Sequence, residues 1–141
     1  DEFRGMLNSA TSQRLCKADL IPVVNIDAEV PFSMLSKAVV TELARLSPHG
    51  EGNPLPLFAA TQLKIAGQPR RIRSKGQHLS FYVKQGDVAI RAVAFGMGEH
   101  IDRLRQNGRT CSLAFAVKIN NWMDKEQLEL EVKDVKFDDE A

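Results

Sequence analysis

The chain has 141 residues, 43% of them hydrophobic, and its 19 Lys and Arg against 18 Asp and Glu leave a formal charge of +1. That length suits one core with an appendage, and the longest apolar run, Leu113 to Val117, is far short of the roughly 20 residues that cross a bilayer, so no membrane segment is expected. Cys16 and Cys111 exclude a disulfide framework and a zinc site, both of which need cysteines or Cys/His pairs at short spacing; Cys111 is expected to be a buried, reduced thiol.

The first residues, Asp1-Glu2-Phe3, bring neither an initiator Met nor an apolar stretch behind a basic start, so the chain is expected to be a piece of a longer protein without a secretory leader. Phe3, Met6, Leu7 and Ala10 recur at helical spacing and predict a helix whose packing partner lies elsewhere. Between Pro22 and Pro31, the two-residue spacing of Val24, Ile26, Ala28 and Val30 predicts an extended linker strand. Ser33 to Leu46 predicts a helix capped by Ser33, with Leu35, Val39, Leu43 and Leu46 on one face, stopped by Pro48 and Gly50. The connector Gly50 to Pro56 holds two glycines and two prolines and cannot continue a regular element.

Five short β-runs follow. Leu57 to Ala66 alternates, with Leu57, Ala59, Thr61, Leu63 and Ile65 on one side; a basic loop, 67–76, separates it from His78 to Lys84, where Leu79, Phe81 and Val83 face one way. Gln85-Gly86-Asp87 turns into Val88 to Phe95, whose near-continuous apolar character predicts a strand covered on both sides. Gly96-Met97-Gly98 breaks it, and Glu99 to Gln106 predicts a two-turn helix ended by Asn107-Gly108. Cys111 to Asn120 and Gln127 to Val132 supply the last two strands around a loop at 120–126. Five strands with a short helix between the third and fourth give a mainly β protein with the order of the OB-fold, a Greek-key barrel that holds oligonucleotides on its second and third strands and flanking loops. The expected organisation is a linker over 1–30, a connecting helix over 31–49, the barrel over 50–137 and an acidic tail over 138–141.

Charge runs unevenly along these elements. Lys64, Arg70, Arg71, Arg73, Lys75, Lys84 and Arg91 face Asp87 alone, a local charge of +6, whereas Asp124 to Ala141 carries −5. A single-strand binder needs cations that follow phosphates and aromatic faces that stack bases, at about 1–3 kcal/mol each. The candidate nucleic-acid-binding residues are therefore these seven cations with His78, Tyr82 and Trp122. Each has a plainer reading: the Arg70 to Lys75 cluster as a solvated hairpin tip, Tyr82 as rim packing, Trp122 as a cover for the barrel end. His78 and His100 lack partners at ligand spacing, and Gly96-Met97-Gly98 lacks the third glycine and the βαβ unit of a dinucleotide loop, so no metal or cofactor is expected. The acidic end reads as a solubilising segment that also turns nucleic acid away from the wrong face.

Leu46-Ser47-Pro48-His49-Gly50-Glu51-Gly52-Asn53-Pro54-Leu55-Pro56-Leu57-Phe58 resembles the L-x-P-x-G-x-G-N-P-x-P-x-F approach to the C-terminal OB domain of the RecJ family. His78-Leu79, Ala92 to Gly96, Asn120-Asn121-Trp122 and Leu128 to Val135 fall in register with it, over residues 25–137. The resemblance implies a domain of a single-stranded-DNA-specific 5′ to 3′ exonuclease of the DHH superfamily, acting in cytoplasmic DNA repair and recombination. It makes 1–30 the end of an upstream DHHA1-like domain. The chemistry it implies uses divalent Mn or Mg in a catalytic core; this sequence has no Asp-His-His or Gly-Gly-His motif, so it is expected to be no enzyme by itself. The implied partners are single-stranded DNA and, beyond it, single-strand-binding protein or other repair proteins. The rival expectation is a docking module, with Leu57, Phe58 and Met97 on its surface, or a structural clamp with little DNA affinity of its own.

Overall fold

Alternation of apolar and polar residues places one side of each long strand in a shared core, and a computed structural model describes residues 1–72, 76–106, 108 and 110–139. In chain order the elements are α1 (Glu2–Arg14), β1 (Ala28–Glu29), α2 (Lys37–Ala44), β2 (Phe58–Ile72), β3 (His78–Gln85), β4 (Val88–Ala94), α3 (Ile101–Leu104), β5 (Thr110–Trp122) and β6 (Lys125–Phe137). The sheet order is β1-β2-β3-β4-β6-β5, and β2 also pairs with β5, so β2 to β6 close into a barrel. All pairings around the barrel are antiparallel except β4 with β6. Leu63, Leu79, Phe81, Val83, Leu113, Phe115 and Leu130 are each 2% exposed or less and fill the interior.

The first barrel strand is longer than its alternation suggested, and the reason is two bulges. Gln62, at φ +55°, breaks the register against β5, so Ala60 and Leu63 point inward rather than Ala59 and Thr61. A second shift against β3 falls between Ala66 and Arg70, and there Gly67 takes φ +72° and Pro69 is fully buried. A proline has no N–H to give the ladder, so a bulge is where a strand accommodates one. The expected loop 67–76 is thus strand as far as Ile72; Arg73 and Lys75 lie outside the described residues. The expected loop at 120–126 is a two-residue hairpin, with Met123 and Asp124 at φ +49° and +58°, the left-handed pair that matches the twist of its strands.

Phe32 decides how the chain enters the barrel. Its side chain is 0% exposed, edge-on to Phe115 at 6.3 Å, and its backbone N–H donates to Gln85 Oε1 at 2.7 Å. Because Phe32 is committed to the core, a single 3-10 turn follows it, and helix α2 starts at Lys37 under a Ser36 cap, not at Ser33. The helix lies on the barrel through Val40, 6% exposed, while Val39 and Leu46 face solvent. Of the linker only Ala28–Glu29 is strand, parallel to Phe58–Ala59. After β4, a 3-10 turn at Gly98–His100 leads into α3, which buries Ile101 and Leu104. Gly98 touches the β2–β3 turn: a Cβ there would stand 2.7 Å from the Gly76 carbonyl oxygen.

Candidate nucleic-acid interface

Strand pairing builds a row of side chains across the outside of the barrel. Ala66 on β2 opposes Tyr82 on β3, Tyr82 opposes Arg91 on β4, Arg91 opposes Glu129 on β6, and Glu129 opposes Lys118 on β5. Tyr82 is 47% exposed, on the opposite side of its strand from the buried Phe81 and Val83. Trp122 is 68% exposed at the end of β5, so it does not cover the barrel end; the tight hairpin after it leaves it on the outer surface. Tyr82 and Trp122 together line a groove of about 240 Å³ with Arg91, Asn120, Gln127, Leu128 and Glu129. A neighbouring recess extends it past Tyr82 along Val88 to Ile90, toward a Lys37–Glu126 pair at 3.7 Å.

The floor of this groove is polar and tied down. Glu129, 5% exposed, accepts from Arg91 Nη1 and from Asn120 Nδ2, each at 2.9 Å, with Lys118 Nζ at 3.5 Å. Arg91 Nε donates to Ser80 Oγ at 3.1 Å. Two residues along β6, Glu131 meets Lys118 and Lys133; the Lys133 hydrogen bond above all, against some burial, holds its carboxyl below the usual range. Glu129 and Glu131 are thus both paired with cations. Parallel pairing of β6 with β4 brings Glu129 beside Arg91, where the two charges cancel. Farther on, Asp138 bonds Thr110 and Asp139 pairs with Arg103, so these two acids are fastened to the barrel rather than trailing from it.

Uncompensated charge sits elsewhere. Lys64 and Lys84 are directly opposed on β2 and β3, on the face that carries Tyr82, and among the described residues neither has an ion-pair partner. Like charges directly opposed repel, which an anion lying across them would relieve. Arg70 opposes Ser80 and so shares that face; Arg71 opposes the inward-facing Leu79, points the other way, and donates to the Gly76 carbonyl at 3.0 Å. His78 Nδ1 accepts from the Gly96 N–H at 2.9 Å and its ring stands edge-on to Phe95 at 5.3 Å, a packing position at the end of β3. The structure thus groups Lys64, Arg70, Tyr82, Lys84, Arg91 and Trp122 on one outer surface and separates Arg71 from them. Sequence reasoning missed Asn120, Gln127 and Glu129. Their outward phase was visible on each strand, but not which strand lay next to which.

A closed five-stranded Greek-key barrel with a helix between its third and fourth strands is an OB-fold, as the order and alternation had indicated. Residues 26–134 match the family model described as the RecJ OB domain, and the chain belongs to that family. Over 133 residues it is 24% identical to the single-stranded-DNA-specific exonuclease RecJ of Bacillus subtilis strain 168, a match covering 94% of this chain and 17% of that protein. With the protein of the same name from Thermus thermophilus it shares 39% over 71 residues, 43% of this chain and 10% of the other. The crystal structure of RecJ in complex with Mn2+ from Thermus thermophilus superposes with a TM-score of 0.61 at 27% identity, over 90% of this chain and 17% of that one. The chain spans less than a fifth of the length of these relatives.

Proposed function

We propose that this chain is the single-strand-holding domain of a RecJ-like exonuclease acting in cytoplasmic DNA repair and recombination, and that it delivers the strand to a catalytic core outside these residues. Bases stack on Tyr82 and Trp122, while phosphates lie against Lys64, Lys84 and Arg70. The observation that carries the reading is that two exposed aromatic rings share one outer surface with two opposed lysines that have no ion-pair partner among the described residues. Metal-dependent cleavage belongs to the whole nuclease. Among the described residues no three His, Cys, Asp or Glu side chains converge as a metal site needs. No helix among the described residues is long and apolar enough to cross a membrane.

The reading is tested by titrating this chain with labelled single-stranded oligonucleotide at two ionic strengths. Affinity should fall steeply with salt, and replacing Lys64 and Lys84 by Ala should flatten the logarithmic slope by about 0.7 for each phosphate no longer neutralised. A salt-insensitive complex, or no complex, would remove phosphate tracking. The second reading, a docking or clamp module, is favoured by an apolar cleft of about 410 Å³ between α2 and β5, lined in part by Leu43, Leu55, Phe58, Val117 and Ile119. Partner binding there would hardly respond to salt.

A further inference from the structure

We infer that the Tyr82–Trp122 groove does more than stack a base: Asn120 and Arg91, aligned by the buried Glu129, select a base that carries an amino group beside an unprotonated ring nitrogen, adenine or cytosine, against thymine. The inference rests on the single-strand reading above and adds base selection to it.

Glu129 is the starting point, because a groove that only tracks phosphates gains nothing from a carboxylate buried in its floor. It cancels the charge of Arg91, the cation that lines the groove with the two rings, and burying it carries a desolvation cost. What the carboxylate does supply is orientation. A carboxylate held between a guanidinium and an ammonium can only accept, so the Asn120 amide turns its nitrogen toward Glu129 and presents Oδ1 on its other side. Arg91 spends Nη1 on Glu129 and Nε on Ser80, and its Nη2 has no partner among the described residues. Both residues line the groove and share Glu129 Oε2, so its lining holds an amide acceptor and a guanidinium donor anchored to the same carboxylate.

Adenine and cytosine match that pair, with an exocyclic amino group as donor next to a ring nitrogen as acceptor; with the sugar side of the base fixed by the phosphates at Lys64 and Lys84, thymine puts a carbonyl oxygen where the amino group should be and an N–H where the ring nitrogen should be. Two acceptors would then face each other, and an unpaired polar group in a partly closed groove is costly. At about 240 Å³ the groove is smaller than the roughly 300–1,000 Å³ of pockets for drug-sized ligands, in keeping with a single base.

Anisotropy titrations of this chain with homo-oligomers of dC, dA and dT of equal length test the inference; dC against dT is the decisive pair, since dA strands stack on themselves. The native chain should prefer dC over dT about five- to tenfold, the low end of what a paired base edge is worth. Asn120→Leu should bring that ratio close to one. Glu129→Gln should do the same and also steepen the salt slope by about 0.7, because Arg91 then becomes available to a phosphate, a signature that mere loss of structure does not produce. If circular dichroism finds Glu129→Gln unfolded, Asn120→Leu decides alone, from a half-buried surface position. Equal affinities for dC and dT, or a preference that survives Asn120→Leu, overturn base selection and leave strand holding intact. Binding of none of the oligomers overturns both.

Discussion

Cys111 and the groove residues set out what single positions do. The Cys111 side chain is 1% exposed, and burial first, then the Asp138 carboxylate, push its thiol up to about 12 from 9.0. Raised in the fold, the group contributes stability that is complete below the unfolded value and lost as pH climbs from about 9 toward 12, where the unfolded chain ionises first. The exposed Cys16 should therefore react with a thiol reagent near neutral pH while Cys111 does not, and denaturant should raise the count from one thiol to two. Two fast thiols in the native protein would contradict the burial. Burial of Cys111 was legible from its place at the start of an apolar strand. The pairing of Arg91 with Glu129 was not, because 38 residues separate them and only the β4–β6 contact joins them.

At the scale of elements, four barrel strands were legible as hydrophobic alternation, the third as a near-continuous apolar run, and the intervening helix as a stretch between two glycine-containing breaks. The strand ends were not. Residues 67–76 read as a loop, yet β2 runs on to Ile72 and absorbs Gly67 and Pro69 in a bulge, since closing a barrel requires its first strand to bend between two partners. Alternation also could not register the faces of β2, because each bulge reverses the phase of everything after it. Gly98 tests how closely the α3 lead-in and the β2–β3 turn depend on each other. Its N–H donates to the Gln77 carbonyl at 3.0 Å, and a methyl group there would meet backbone rather than a side chain that could swing away. Gly98→Ala should cost about 1–3 kcal/mol in denaturant unfolding, the usual range for overpacking. A neutral result would mean that the two segments slide apart easily.

Over the whole molecule, stability and surface charge are distributed differently from the sequence. Helix α1 has no buried residue, and Leu20, Ile21 and Val23 are exposed, so residues 1–25 lie outside the core. Their removal should leave the thermal midpoint of the barrel nearly unchanged. Phe32→Ala, by contrast, should cost about 3–5 kcal/mol, because it empties a fully buried aromatic site, and should lower the midpoint by more than about 10 °C. A large loss on truncation, or a small one for Phe32→Ala, would relocate the boundary of the folded unit. The charge pattern changed most between sequence and space: parts of a basic stretch and an acidic stretch meet on one outer surface, where Glu129 and Glu131 neutralise Arg91, Lys118 and Lys133, and Lys64 and Lys84 have no ion-pair partner among the described residues. The order of amino acids was enough to specify the barrel, its succession of strands and the family, because alternation and turn chemistry act between near neighbours and the Gly-Asn-Pro connector is local. The groove was settled only when the strands came together. Which cations keep their charge, which polar groups face a base and which aromatic rings share a surface depend on non-local strand pairing, which no short stretch of residues encodes.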